Sequence, residues 1–315
     1  MCEENQTQVT QIRLLGFRSL HKYKTLLFIG LFLTHAFILV GNLLIIFLVT
    51  TFGHLKTPMF IFLKHLSITD ILGTTSIVPM MLGIIFVEEA ILPLWCCVMQ
   101  LYIFGIFGFV PCFHIAVMSY DRYLAICHPL RYSSIMSPDL CLQLVIESWF
   151  LVFVLASSEF IFLIQFNFCG SNYVDHFFCD FGPIVELATS DTSIFMLQDF
   201  VICTLALLFP FTFIIMTYIF IFSSIIKISS TYGRRKAFST CSSHLTTVCA
   251  HYGTLIIVYM APSDKSTSNT NKYRSLLYTV VTPVMNPIIY SLRNHKLRRA
   301  VQKTMSYIFQ NGSKK

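Results

Sequence analysis

Residues 26–49 read LLFIGLFLTHAFILVGNLLIIFLV, a run without a single Asp, Glu, Lys or Arg. About 20 apolar residues of α-helix cross the hydrocarbon core of a bilayer, so this run is long enough to span. Six further runs follow, at about 59–83, 96–120, 140–164, 194–226, 237–261 and 272–292. Short polar links join them, apart from one long link at 165–193. The runs are continuous, whereas a strand barrel needs short alternating segments. Pro58, Pro79, Pro111, Pro210, Pro283 and Pro287 interrupt them. Membrane helices tolerate proline when neighbours satisfy the freed carbonyls, and a kink usually results. The expected fold is an all-α membrane protein, a seven-helix transmembrane bundle.

Composition agrees. The chain is 55% hydrophobic and 12% charged, against about a quarter charged in ordinary soluble domains. Its net charge of +7 gathers at the ends of the apolar runs, which suits anionic inner-leaflet lipids rather than nucleic acid. With the N-terminus outside, the cytosolic segments carry about twice as many Lys and Arg as the outer ones, the asymmetry that sets orientation. The outer links at 84–95 and 165–193 contain none. This divides the chain into an extracellular N-terminus (1–25), a transmembrane domain (26–292) and a cytosolic tail (293–315). Asn5 heads an Asn-Gln-Thr glycosylation sequon on the outer side. In the tail, Leu297, Val301, Met305 and Ile308 recur at helical spacing among Lys296, Arg298, Arg299 and Lys303, the pattern of a short amphipathic helix on the inner leaflet.

Enzyme signatures fail: the chain has no phosphate-binding loop, metalloprotease helix, nucleophile elbow or dinucleotide fingerprint. Cys241, His244, Cys249 and His251 invite a metal reading. On a helix the second pair lies about 12–15 Å beyond the first, too far for one zinc ion. No cofactor or resident metal is expected.

Polar groups inside spans are costly and so informative. Asn42, Asp70 and Asn286 fall in spans one, two and seven, where a bundle can bring them together as interhelical glue or as a polar core that rearranges. Asp121 next to Arg122 puts an ion pair at the cytosolic mouth of span three, as a latch or as a static anchor.

The run MSYDRYLAICHPLRY at 118–132 closely resembles the signature of the olfactory receptor family of rhodopsin-like G-protein-coupled receptors. Other motifs of that family stand in order: Gly41-Asn42, LKTPMF at 55–60, LSITD at 66–70, Thr217-Tyr218, KAFSTCSSHL at 236–245 and PVMNPIIYSLRN at 283–294. The resemblance runs from Asn5 to about Met305. It implies a switch in which Arg122, beside Asp121 and Tyr123, leaves its carboxylate when span six swings out and meets a G protein near Tyr218 and Tyr290. Lys236, Asn286 and Pro287 belong to the same machinery, with Asn42 and Asp70 as its polar core.

It also implies a ligand in the outer half of the bundle, between spans three, five, six and seven. Helix phase then selects Phe104, Gly105, Gly108 and Phe109 on span three, and Ile202, Cys203 and Ala206 on span five. Span six adds His251, Tyr252, Leu255, Ile256 and Tyr259, and span seven Leu276 and Thr279. This lining is apolar with a few hydroxyls, and no acid stands at Phe104, which argues against an amine and for a small lipophilic molecule. Many relatives carry Glu where this chain has Pro111, so a sodium site is in doubt.

The resemblance pairs Cys97 with Cys179 across the long outer loop. The family partner of Cys169 is replaced here by the run Ala188-Thr189-Ser190. A substitute bridge to Cys96 is one expectation, and a free Cys169 the other. The function implied is an odorant receptor acting through a heterotrimeric G protein of the stimulatory, cyclic-AMP-raising type. Its partners are a small volatile or lipophilic ligand, the G protein and membrane lipids. A chemoreceptor outside olfaction is the nearer alternative. A transporter or channel would show inverted repeats or broken helices around an ion site, and the sequence has neither.

Overall fold

The computed structural model describes residues 7–17, 22–87, 89–260, 268–293 and 295–312. The Asn5 sequon lies outside them. Helices α1 (Lys24–Thr51), α2 (Pro58–Val87), α3 (Leu94–Cys127) and α4 (Pro138–Leu163) follow the first four apolar runs. Helix α5 runs continuously over Ser193–Lys227, and α6 covers Thr231–Met260. Helix α7 consists of Ser268–Leu276, a π-helical turn Leu277–Val281, and Thr282–Arg293. Helix α8 covers His295–Gly312.

Helices α1 to α5 are each long and apolar enough to cross a membrane. The sixth and seventh are more polar, because α6 opens on a basic cytosolic turn, Arg234-Arg235-Lys236, and α7 opens on Ser268-Asn269-Thr270-Asn271-Lys272. The bundle is arranged for lipid. Leu26, Phe32, Phe47, Phe150, Phe200 and Phe209 face outward, while Asn42, Asp70, Ser119 and Asn286 are buried. In hydrocarbon a polar group gains only by turning inward to a partner.

Local chemistry sets the helix ends and bends. Ser137 caps α4, its hydroxyl accepting from Leu140 N at 3.2 Å, with Pro138 in the first turn. Proline at that position loses no helical hydrogen bond. The π turn at Thr204–Leu208 ends two residues before Pro210, and the turn at Leu277–Val281 ends two residues before Pro283. A proline removes one donor from the ladder, and a π turn redistributes the loss. In α8, Leu297 and Ala300 are buried against the core while Lys296, Arg298 and Arg299 are exposed.

The outer face departs from expectation. Within the N-terminal segment, β1 (Gln11–Leu14) pairs antiparallel with β2 (Ala90–Pro93) and parallel with β3 (Tyr173–Val174). This small sheet ties the N-terminus to both outer loops. Lys272, at the head of α7, donates to the Gly16 carbonyl at 2.8 Å and forms an ion pair with Asp175. Arg13 pairs with Glu89 at 3.0 Å.

Beneath the sheet, Cys97 and Cys179 form a disulfide with a Cα separation of 5.4 Å. The Cys96–Cys169 bridge does not form: Cys96 is free, whereas Cys169 is itself disulfide-bonded, so neither sequence expectation for that pair holds. Successive helix residues point about 100° apart, and since Cys97 faces the loop cysteine, Cys96 cannot. The strand edge at Cys169 is taken up by the N-terminal segment, with Gly170 N donating to the Thr7 carbonyl at 3.1 Å.

Candidate functional site

Two regions combine buried polar chemistry with space or movable helices. The first is a cavity of about 1070 Å³ in the outer half of the bundle, as large as the clefts that hold small organic ligands. On α3 it is lined by Phe104, Gly105, Gly108 and Phe109. A Cβ added to either glycine would meet nothing within 4 Å, so these two positions widen the cavity. Cys203, His251, Leu255 and Thr279 line it as well.

Other residues selected from helix phase stand elsewhere. Ile202, Ala206 and Tyr252 are buried in helix packing, and Ile256 is exposed on the outer side of α6. Leu276 packs with the cluster containing Phe177 and Phe178. The side chain of Tyr259 lies outside the described residues. The π turn at 204–208 shifts the helix phase between Tyr218 and the outer part of α5, where regular turns no longer track the cavity face residue by residue.

Sequence reasoning missed an entire wall. Tyr102, Glu159 and Phe160 enter from α3 and α4, Asp199 enters from α5, and His176 and Asp180 enter from the long loop. The lining is therefore not free of acids. Asp180 accepts from Phe181 N at 2.9 Å, and His176 Nε2 lies 3.2 Å from the Ser275 hydroxyl and 3.7 Å from the Asp180 carboxylate. Burial, aided by the Lys272 charge, pushes the His176 imidazole down to about 3. Burial pushes the Asp180 carboxyl up to about 6, against its hydrogen bonds to Phe181 and Ser275. The signal that could have found this wall was present: Glu159 and Asp199 are carboxylates inside apolar runs.

The second region is the cytosolic mouth. Arg122 Nη2 donates to Asp121 Oδ2 at 2.5 Å, and the Tyr132 hydroxyl donates to Asp121 Oδ1 at 2.7 Å. Asp121 is wholly buried, so both its oxygens are engaged within the protein. Tyr123 places its hydroxyl 3.0 Å from His128 Nε2. Deeper in, the His244 ring joins three helices. Its Nε2 lies 2.9 Å from the Ile115 carbonyl of α3, and its Nδ1 lies 2.8 Å from the Tyr218 hydroxyl of α5. A carbonyl can only accept, so the proton sits on Nε2 and the neutral ring accepts from Tyr218. Tyr290 is fully buried, its hydroxyl 3.9 Å from Met118 Sδ. Lys236 projects from the exposed first turns of α6.

Between the two regions lies the polar core. Asn286 Nδ2 donates to Asp70 Oδ2 at 2.9 Å. Asn42 does not join them; it donates to the Ile38 carbonyl of its own helix at 3.0 Å. Next to it Gly41 lets α7 approach closely, since a Cβ there would stand 2.9 Å from Pro287 Cβ. Pro111 and Asp70 both line the inner end of the cavity. Among the described residues no group of three His, Cys, Asp or Glu is arranged to hold a metal ion.

A family model described as "Olfactory receptor" matches residues 31–307. Olfactory receptor 11L1 of Homo sapiens is 41% identical over 302 residues, covering 96% of this chain and 94% of its own. Olfactory receptor 1 of Rattus norvegicus is 41% identical over 306 residues, covering 96% of each chain. Among solved structures, the crystal structure of squid rhodopsin superposes with a TM-score of 0.70 at 20% identity, covering 91% of this chain and 87% of that one. That likeness establishes the seven-helix fold and no more. The relatives carry the rest: this is a multi-pass plasma-membrane receptor, not an enzyme, and the chain belongs to the olfactory receptor family.

Proposed function

We propose that this odorant receptor binds a small, mostly apolar ligand in the outer cavity and activates a heterotrimeric G protein of the stimulatory type, raising cyclic AMP. The observation that carries the reading is the pairing of a large outer cavity with a closed polar latch at the opposite end of the same helices. The cavity is framed by α2 to α7 and by the long loop. Helix α3 alone runs from the cavity wall at Phe104 to the Asp121–Arg122 pair. A ligand that shifts α6 relative to α3 acts on the His244 bridge directly, and through it on Tyr218.

In this reading Arg122, Tyr123, Tyr218, Lys236 and Tyr290 meet the G protein once α6 moves. Asp70, Asn286, Pro287 and Asn42 form the hinge region between cavity and mouth. The N-terminus, including Asn5, faces outward, and α8 rests on inner-leaflet lipid with its basic residues exposed. The test is a cyclic-AMP reporter in cells expressing the full chain, exposed to a panel of small volatile molecules. A ligand-dependent rise that needs Arg122 is the expected result, and a surface-expressed chain that raises no cyclic AMP with any agonist that binds it would overturn the coupling.

A further inference from the structure

We propose that the outer cavity carries a cation subsite, built by Glu159 of α4 and Asp199 of α5, that takes the ammonium group of a small alkyl or aryl amine. The proposal rests on the cavity being the ligand site.

The described lining holds six carboxylates, Asp70, Glu159, Asp175, Asp180, Glu186 and Asp199, against one guanidinium, Arg274. Four of the six have evident employment or lie open to water. Asp70 accepts from Asn286, Asp175 is paired with Lys272, Asp180 caps Phe181 beside His176, and Glu186 is exposed. Glu159 and Asp199 differ. They sit within membrane-spanning helices, where a carboxylate costs several kcal/mol unless it is paired or faces a polar cavity. Among the described residues neither has a basic partner.

What surrounds them does not meet the need. Asp199 Oδ1 receives only the Cys203 thiol, a weak donor, at 3.6 Å. Glu159 Oε1 is shut off from solvent and has no hydrogen-bond partner. The nearby polar pair is spent on itself, since Gln198 Nε2 donates to the Ser158 hydroxyl at 3.1 Å. The two carboxylates line the same cavity, each next in sequence to one member of the Ser158–Gln198 hydrogen bond that joins α4 to α5. Both acids line one space, Glu159 has a further oxygen set back from it without a partner, and a donor-rich cation would complete the pair. An ammonium supplies three donors and a full charge.

A metal ion fits less well. Among the described residues no third ligating group joins the pair in a metal-binding arrangement, and hard divalent cations ask for six or more oxygens. The rest of the wall suits an organic body: Leu101, Tyr102, Phe160, Leu163, Phe195 and Met196 line the cavity beside the acids. An aliphatic chain or single ring can lie against these surfaces while its charged end faces the carboxylates.

The test compares matched probes: hexylamine with hexan-1-ol, and 2-phenylethylamine with 2-phenylethanol. Cyclic-AMP responses are recorded for the full chain and for Glu159→Gln, Asp199→Asn and the double variant, each normalised to surface expression. Thermal unfolding of purified receptor, with and without each probe, gives a second readout that does not depend on the G protein. Amines are expected to act at concentrations at least about tenfold below their alcohols, a difference worth about 1.4 kcal/mol. Each single variant should weaken the amine by about tenfold or more and leave the alcohol response in place. Amines should raise the unfolding temperature of the wild type and not of the double variant. If Glu159→Gln fails to reach the surface, Asp199→Asn decides alone. Amine stabilisation lost in the double variant, without any cyclic-AMP signal, upholds the subsite and refutes the coupling. Alcohol-driven signalling with no amine preference keeps the receptor and refutes the subsite. Amine potency or stabilisation unchanged in the double variant overturns the proposal outright.

Discussion

Tyr218 and His244 stack in parallel across the α5–α6 boundary, with ring planes 3° apart and centroids 5.8 Å apart, while the hydroxyl of one donates to the Nδ1 of the other. The same imidazole reaches the Ile115 carbonyl of α3. One side chain thus holds the inner ends of three helices together. Replacing His244 by Phe keeps the stack and removes both hydrogen bonds. Leaving buried partners unpaired costs about 1–3 kcal/mol. If α6 must leave α3 for signalling, only the closed state loses these bonds, and the equilibrium shifts by roughly 5- to 150-fold. Basal cyclic AMP per surface receptor should rise several-fold in His244→Phe; an unchanged basal level would remove this ring from the latch.

Arg122 is held by a buried carboxylate that Tyr132 also engages. Arg122→Ala leaves Asp121 with the tyrosine hydroxyl, so the helix end should survive. Ligand-driven cyclic AMP per surface receptor should fall to background. Surface staining measured in parallel separates lost signalling from lost folding, because Arg122 is mostly buried and removing one partner of a buried ion pair is itself destabilising. Full signalling by this variant would assign the switch elsewhere.

Gly108 opens onto the cavity with free space where a side chain would stand. Gly108→Leu fills that space, and clashes in a well-packed site typically cost about 1–3 kcal/mol. Larger agonists should lose about tenfold or more in potency, with smaller ones spared. Dose-response curves over a homologous series check this, and an unaltered ranking would move the ligand away from α3.

The Cys97–Cys179 bridge closes a loop of 82 residues. In the chain-entropy model such a loop is worth about 4–5 kcal/mol. Cys179→Ser should therefore strip most receptor from the surface and lower the unfolding temperature of what remains. Near-normal surface levels in Cys179→Ser would show that the outer sheet holds the loop without the bridge.

His176 and Asp180 give the outer loop opposed pH dependences. The imidazole is depressed from 6.5 to about 3 in the fold, so the unfolded chain binds the extra proton and stability falls as pH drops below 6.5. The carboxyl is raised from 3.8 to about 6. There the folded chain binds the extra proton, so stability falls as pH rises from 3.8 to about 6. Between about pH 4 and 6 the two slopes cancel, and the wild-type unfolding temperature should stay nearly level. Asp180→Asn keeps the cap on Phe181, because asparagine caps as well as aspartate, and removes one slope. Its unfolding temperature should fall steadily as pH is lowered from 6.5. Coincident profiles for the two proteins would show that the Asp180 carboxyl contributes no pH-dependent stability.

The sequence by itself determined the fold and the family. Runs such as 26–49 can satisfy their backbone in hydrocarbon only as helices, and the ordered motifs around Arg122 and His244 carry the resemblance over nearly the whole chain. The family resemblance carried the Cys97–Cys179 pairing, and phase counted back from Arg122 along α3, a helix without a π turn, picked out Gly105 and Gly108, which line the outer cavity. Tertiary structure decided the rest. On α5 a π turn separates Tyr218 from the outer segment, and of the residues counted back there Cys203 lines the cavity while Ile202 and Ala206 are buried in packing. The sheet of β1, β2 and β3 joins segments far apart in sequence, and strand pairing of that kind leaves little periodic trace in strands of two to four residues. Glu159 and Asp199 were visible as costly carboxylates in apolar runs. Only the packing of α4 against α5 shows that both open into one cavity, because helical periodicity tells which residues share a face and not which helix that face will meet.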